Sequence, residues 1–362
     1  MTAQNLAALL RARSVAIVGI NQPGKFGGQV YANLKALGYP GAIFGVNPNY
    51  DTLYDQPCYP SLQALPESPE CAILGVSNAR LTAVLQEAAD VVIPSAVIFA
   101  SAHSVQEGLA NIAHAHHMTV CGPNGMGFIA YGHRLAASGY PVLPSPPGNI
   151  ALITHSGSVF DALTQNNRGL CFNYAISPGN EMVTTMADYM HFVMDDPTTR
   201  AVALFLETVR DPQGFITALA QAAERDIPIV ALKVGRTRHA ARLAQAHSGA
   251  LAGEDAVFDA VFARYGVRRV KSLDEMMDTL ELFATGMRPP TRHVAAIFDS
   301  GGERSMFVDM AESDEVTFAP IGAPTRARLA AALDPSLEPV NPLDAWGTLN
   351  DFDRTYAECL IR

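Results

Sequence analysis

The chain is poor in charge. Asp, Glu, Lys and Arg make up 17% of its 362 residues, against 49% hydrophobic. The balance is negative, with a net charge of -10 when His is neutral. That excludes nucleic acid and an anionic membrane as partners of the bulk charge, while leaving room for a local basic patch. No apolar run is long enough to span a bilayer. The first residues, Met1-Thr2-Ala3-Gln4-Asn5, lack the basic stretch of a signal peptide. The five cysteines, Cys58, Cys71, Cys121, Cys171 and Cys359, include no C-x-x-C pair. They read as reduced, mostly buried thiols of a cytoplasmic protein. Two fingerprints are also missing. Without G-x-G-x-x-G a nicotinamide dehydrogenase is disfavoured, and without G-x-S-x-G so is a nucleophilic serine elbow.

What is present is a repeating strand–helix pattern in three blocks, which implies an α/β fold. The length suits two or three domains. In the first block, 1–140, continuous apolar runs at 14–19, 42–47, 71–76 and 96–100 alternate with helical patterns such as 29–37 and 80–89. Uninterrupted apolar strands between helices imply a parallel sheet covered on both faces. Ligands of such sheets bind at the strand C-terminal ends. A Pro-rich segment, 141–148, reads as a linker. The second block, 149–285, places strands at 149–154, 172–177, 201–207 and 228–234. A further linker near 286–290 leads to a third block, 291–362, which is short for an α/β domain. It is expected to be incomplete or completed by another chain.

Several turns carry candidate chemistry. Gly19-Ile20-Asn21-Gln22-Pro23-Gly24-Lys25-Phe26-Gly27-Gly28 joins the first strand to a helix. Glycines there let backbone amides approach a phosphate at a helix N-terminus. Phe26 stands where a P-loop needs Ser or Thr for Mg²⁺, so a nucleotide-containing cofactor without Mg²⁺ at this loop is favoured over an NTPase. A turn with convenient glycines is the plain alternative. His155-Ser156-Gly157-Ser158 follows a strand and opens a helix, as does Asp299-Ser300-Gly301-Gly302. Each is a phosphate-ready helix N-terminus, worth about 0.3–1 kcal/mol to one anion. Glu207 closes an apolar strand and is placed to hold one imidazole nitrogen; a surface glutamate at a strand end is the plain alternative. His114, His116 and His117 lack a metal-ligand set and read as a solvated helix face. His133, His155, His191, His239 and His293 carry no metal spacing either, and no metal site is expected.

The most informative stretch is Ala246-His247-Ser248-Gly249-Ala250-Leu251-Ala252-Gly253, after Lys233-Val234-Gly235-Arg236. A histidine in a loop of small residues can change position while carrying a bulky group. Neutral imidazole is nucleophilic enough to accept and pass on a phosphoryl group.

Together these segments resemble the NDP-forming acyl-CoA synthetases, the superfamily of succinyl-CoA synthetase, and most closely the α-type part of the ADP-forming acetyl/acyl-CoA synthetases. The likeness covers nearly the whole chain. Val18-Gly19 with Pro23-Gly24-Lys25, Val46-Asn47-Pro48 and Gly122-Pro123-Asn124 resemble their Rossmann-like CoA-binding domain. Residues 154–158, Pro178-Gly179-Asn180-Glu181, Leu206-Glu207 and the His247 loop resemble the first flavodoxin-like ligase domain. Ser300-Gly301-Gly302 and Asn341-Pro342-Leu343-Asp344 resemble the second.

The resemblance implies that a carboxylic acid, CoA and ATP become acyl-CoA, ADP and phosphate through an acyl phosphate and a phosphohistidine at His247, with Glu207 orienting it. Ser156, Gly157 and Ser158 would cap the phosphate from one helix, and Ser300, Gly301 and Gly302 from another. CoA is expected on Gly19, Gly24, Lys25, Phe26, Gly27, Asn47, Pro48, Ser77 and Asn124. Asn49, where relatives often carry lysine, and Val76-Ser77-Asn78, where prolines are common, depart from the pattern. No ATP-grasp domain is recognised, so ATP or ADP with Mg is expected on an ATP-grasp β-type partner or region, in an oligomeric assembly. A non-catalytic CoA- or acyl-CoA-sensing module is the alternative.

Overall fold

The computed structural model describes residues 3–237, 239–240, 254–287, 291–346 and 352–361. The chain divides into two compact units, Met1–Gly286 and Met287–Arg362. No helix among the described residues is long and apolar enough to cross a membrane.

The first unit holds two seven-stranded sheets. A helix α1 (Ala3–Leu10) precedes β1 (Ser14–Val18), α2 (Phe26–Ala36), β2 (Ala42–Val46), β3 (Thr52–Leu53) and β4 (Gln56–Tyr59). There follow β5 (Cys71–Leu74), α3 (Asn78–Asp90), β6 (Ser95–Ile98), α4 (Gln106–Ala115) and β7 (Thr119–Cys121). The strand order is β3-β4-β2-β1-β5-β6-β7. All neighbours from β4 to β7 run parallel, and only β3 pairs antiparallel. Apolar residues fill both faces of the central strands: Val15, Ala16, Ile17, Cys71 and Ile73 are fully buried. That is why these runs show no alternation in sequence. The chain leaves β1 for β2 on one side and returns to β5 on the other, so a switch point opens at the C-terminal ends of β1 and β5. Burial pushes the Cys71 and Cys121 thiols up to about 12, which removes both as nucleophiles near neutral pH.

The second sheet begins before the Pro-rich segment. β8 (Gly127–Ala130) and β9 (Leu135–Ser138) form an antiparallel pair, and β8 runs antiparallel to β11. The sheet change therefore falls between 121 and 127, ahead of the linker at 141–148. Then come β10 (Ile150–Thr154), α5 (Gly157–Thr164), β11 (Phe172–Ser177), α6 (Met186–Met194), β12 (Ala201–Leu206) and α7 (Pro212–Glu224). β13 (Ile229–Lys233), α8 (Asp255–Tyr265), β14 (Arg268–Val270) and α9 (Leu273–Ala284) complete the unit. The order is β14-β13-β12-β10-β11-β8-β9, parallel from β14 to β11. Local caps start the helices. Thr185 and Asp188 form a reciprocal capping box on α6. Asp211 caps α7 with Pro212 in the first turn, and Ser272 accepts from the Glu275 amide at 3.1 Å on α9.

The second unit is small. β15 (His293–Val294) pairs with β17 (Thr317–Phe318), and β16 (Ile297–Phe298) with β18 (Leu343–Asp344), all parallel. Helices α10 (Gly301–Ser313), α11 (Ala323–Ala332) and α12 (Phe352–Ile361) accompany them. Its buried core is Leu329, Leu333, Leu343 and Ala345.

Gly127 sits where the chain enters the second sheet. Its φ is 80°, and a Cβ there would lie 1.9 Å from the Ala137 carbonyl oxygen. Gly127→Ala is expected to lower unfolding free energy by at least about 1–3 kcal/mol, checked by urea denaturation.

Candidate active site

The second sheet has its own switch point. From β10 the chain goes to β11 on one side and then to β12 on the other. A crevice outside the carboxyl ends of β10 and β12 follows from that topology. There lies a cavity of about 290 Å³ lined by residues that follow three strands: His155–Ser158 after β10, Gly179 and Asn180 after β11, Glu207, Thr208 and Arg210 after β12. Asn124, Met126 and Tyr140 close its other wall.

Helix α5 points its N-terminus into this cavity. The Ser156 hydroxyl accepts from the Val159 amide at 3.3 Å and lies 3.2 Å from the Ser158 hydroxyl. Ser156 is therefore the cap, and the first-turn amides and the Ser158 hydroxyl are left to face an anion. Gly157 allows the wall to close, since a Cβ there would stand 2.8 Å from Met126 Cγ. Glu207 directly follows β12 and is half-buried in the same cavity. The structure thus brings Ser156, Gly157, Ser158, Glu207 and Asn124 together.

The cavity residues His155 and Asn180, and Glu181 behind His155, were given no role from sequence. His155 was set aside for want of metal spacing, and Glu181 and Asn180 were noticed only within Pro178-Gly179-Asn180-Glu181. His155 is buried against Glu181, and its Nδ1 accepts from the Glu207 amide at 3.0 Å. Adjacency to Ser156 was the available signal, because two neighbours after one strand must both lie at its C-terminal end. Among the described residues no group of three His, Cys, Asp or Glu side chains could hold a metal.

Lys233 ends β13 beside this edge of the sheet. It is buried, its Nζ donates to the Val234 carbonyl and lies 4.8 Å from the centre of the Phe258 ring. Burial pushes its ammonium below the usual value, opposed by Asp255. His247 and its loop, 241–253, lie outside the described residues.

The other candidate residues cluster at the first switch point. Gly19 adopts φ 86°, and a Cβ there would be 2.5 Å from the Gly75 carbonyl oxygen. Gly27 is packed as tightly, its Cβ position 2.4 Å from the Gly19 oxygen. These two let α2 start directly behind β1. Gly24 and Lys25 are exposed at the tip, with Lys25 in the N-cap position and no side-chain cap. The Phe26 ring is half-buried, edge-on to Phe99 at 4.4 Å, so it packs the base of the turn. Asn47 braces the turn, donating to the Ile20 carbonyl at 2.7 Å and accepting from the Asn49 amide at 3.1 Å. Pro48 and Ser77 are exposed beside it. A stacked pair, Tyr31 and Tyr54 at 4.1 Å, and Asn21, which accepts from the Gly28 amide at 3.0 Å, join this rim.

Ser300, Gly301 and Gly302 belong to the second unit. Ser300 caps α10 by accepting from the Glu303 amide at 3.4 Å. A Cβ on Gly301 would lie 3.1 Å from Asp344 Oδ2. An anion at this helix end would share it with that carboxylate.

Comparison with known proteins gives two domain matches within the first unit. Residues 13–131 match the CoA binding domain, and residues 147–283 the succinyl-CoA ligase like flavodoxin domain. The ADP-forming acetate–CoA ligase of Methanocaldococcus jannaschii is 28% identical over 344 residues, 92% of this chain and 48% of that protein. The α subunit of ADP-forming acetate–CoA ligase II of Pyrococcus furiosus is 28% identical over 343 residues, 92% of this chain and 74% of the subunit. The solved dinucleotide forming acetyl-coenzyme A synthetase 1 of Ca. Korarchaeum cryptofilum, in complex with phosphate and ADP, superposes with a TM-score of 0.88. It is 25% identical, with 97% of this chain and 78% of that one covered. The chain spans about half the length of the first curated relatives it matches.

The cap geometry separates the two serines. Ser156→Ala is expected to cost about 0.5–2 kcal/mol of stability. Ser158→Ala should stay within about 0.5 kcal/mol. Urea melts of the two variants check this; equal losses would contradict the cap assignment.

Proposed function

The chain belongs to the NDP-forming acyl-CoA synthetases, and on that premise we propose that it is the CoA-binding and phosphohistidine-bearing part of an ADP-forming acyl-CoA synthetase. The observation that carries the reading is the cavity at the second switch point, where the open N-terminus of α5 and the Glu207 carboxylate line one space. The helix end suits phosphate and the carboxylate suits an imidazole N–H. The overall reaction joins a carboxylic acid to CoA with ATP cleaved to ADP and phosphate.

Each step balances in the direction of thioester breakdown. A phosphate oxygen attacks the thioester carbonyl, CoA thiolate leaves, and an acyl phosphate forms. A ring nitrogen of His247 then attacks phosphorus, and the carboxylate of the free acid leaves. Glu207 holds the opposite N–H, which selects the tautomer and stabilises the positive charge developing on the ring. The phosphoryl group finally passes from His247 to ADP. Synthesis is the reverse.

CoA lies across the β1–α2 turn, its phosphates near the Gly24 and Lys25 tip and the amides of α2. Ser300, Gly301 and Gly302 form a second phosphate cap in this reading, with Asp344 limiting its charge. ATP, ADP and Mg bind on an ATP-grasp partner or domain of a cytoplasmic, oligomeric enzyme. The α-subunit match in P. furiosus supports a division of labour of that kind.

Intact-mass spectrometry after incubation with acyl-CoAs and phosphate, without ATP, tests the reading. Gain of one acid-labile phosphoryl group is expected. CoA binding without any gain would favour the sensing module. His247→Asn should abolish the gain while leaving CoA affinity within about twofold; parallel loss of both would contradict the assigned role. Glu207→Gln should slow phosphorylation by about 10²-fold, followed by quenched-flow mass analysis, and an unchanged rate would reduce Glu207 to a strand end.

A further inference from the structure

His155 takes no part in the steps above, yet it is an almost fully enclosed ionisable group at the cavity. Its side chain is 5% exposed, beside a Glu181 side chain 1% exposed. Nε2 meets Glu181 Oε1. The other carboxylate oxygen, Oε2, accepts from the Met186 amide at 3.0 Å. Glu181 itself is held in the left-handed region, φ 53°, four residues after β11. On its other edge His155 Nδ1 accepts from the Glu207 amide at 3.0 Å.

These partners leave one protonation pattern. A backbone N–H can only donate, so Nδ1 carries a lone pair; a carboxylate accepts, so Nε2 carries the proton. Both ring nitrogens are engaged, and neither is free to attack phosphorus. The ring links the segments after β11, β10 and β12 in series: Glu181, His155, then the Glu207 peptide. Truncating it would leave the Glu207 amide without this acceptor and loosen that side of the peptide, while the carbonyl side stays held by the Val234 amide, which donates to the Leu206 oxygen at 3.0 Å.

We infer that His155, anchored by Glu181, is a positioning residue that fixes the Glu207 peptide and so aims the Glu207 carboxylate. The inference rests on the reading of Glu207 as the carboxylate that orients His247. Misplacing a group next to the chemistry by about 1 Å can cost about 10²-fold in rate. His155→Ala should therefore slow phosphoryl transfer by about 10- to 100-fold, with the half-saturating acyl-CoA concentration unchanged. His155→Asn, whose Oδ1 can occupy the place of Nδ1 as acceptor, should recover most of the rate.

A measurement on the unmodified chain separates this inference from the reaction itself. Long-range ¹H–¹⁵N spectra of ¹⁵N-labelled protein, with His155 assigned by its loss in His155→Asn, should show a neutral ring protonated on Nε2. The Glu207 amide resonance should move in His155→Ala and return towards its original position in His155→Asn. An imidazolium, an Nδ1–H tautomer or an unmoved Glu207 amide would overturn the inference. So would equal slowing in the Ala and Asn variants. If the expected tautomer and amide shifts appear while the wild-type chain gains no phosphoryl group, the catalytic reading fails and the His155–Glu207 tie stands.

Discussion

The packing of main chain directly on main chain between residues 122–126 and 177–182 holds the site together. The Gly122 amide donates to the Pro178 carbonyl at 3.1 Å, and the Asn180 amide to the Pro123 carbonyl at 2.8 Å. The Met126 amide donates to the Ser177 hydroxyl at 3.1 Å. Side chains would prevent this approach. A Cβ on Gly125 would lie 2.3 Å from the Ser177 carbonyl oxygen, and one on Gly179 would lie 2.1 Å from that of Pro123. The strand following 122–126 enters the second sheet, while the strand before it closes the first. One contact therefore locks the C-terminal ends of two sheets to each other, and Asn124, at φ 60°, is carried into the cavity on that ridge.

Both sheets build a crevice suited to an anion from the same parts. A switch in strand order leaves a crevice, a glycine-bearing turn lets a helix begin directly behind a strand, and the amides of its first turn face the crevice. The chemistry differs in what surrounds the amides. At β1–α2 the rim is exposed, with Lys25 and stacked tyrosines, which suits a large polyanionic ligand held at the surface. At β10–α5 the rim is more enclosed and carries the Glu207 carboxylate and Arg210, which suits a small reacting group.

Much of the fold was legible because buried parallel strands are written as continuous apolar runs, and the runs at 14–19, 42–47, 71–76 and 149–154 each became a strand within one or two residues. Residues 127–138 were harder. They read as the tail of the first block because nothing in their composition says which sheet an edge pair will join. That depends on Ser177 and Gly127 meeting across β11 and β8, about fifty residues apart in sequence. Phe26 and Asn47 were expected among the CoA-binding residues, and the structure gives both of them bracing contacts at the β1–α2 turn. His155 was passed over because sequence spacing can reveal ligands along one helix or loop, and its partners come from two other strands.

The amino-acid order by itself determined the α/β alternation, the glycine-rich strand-to-helix turns, the capping serines and the presence of a carboxylate at the end of a buried strand. These follow from local rules: apolar periodicity, φ freedom at glycine and hydrogen bonding within one helical turn. Tertiary structure decided which strand ends are neighbours. It placed Glu181, His155 and Glu207 in one hydrogen-bonded series and set the tautomer of the ring between them. A tautomer is chosen by the donor or acceptor facing each nitrogen, and here those partners are 26 and 52 residues away in sequence, where no local rule reaches.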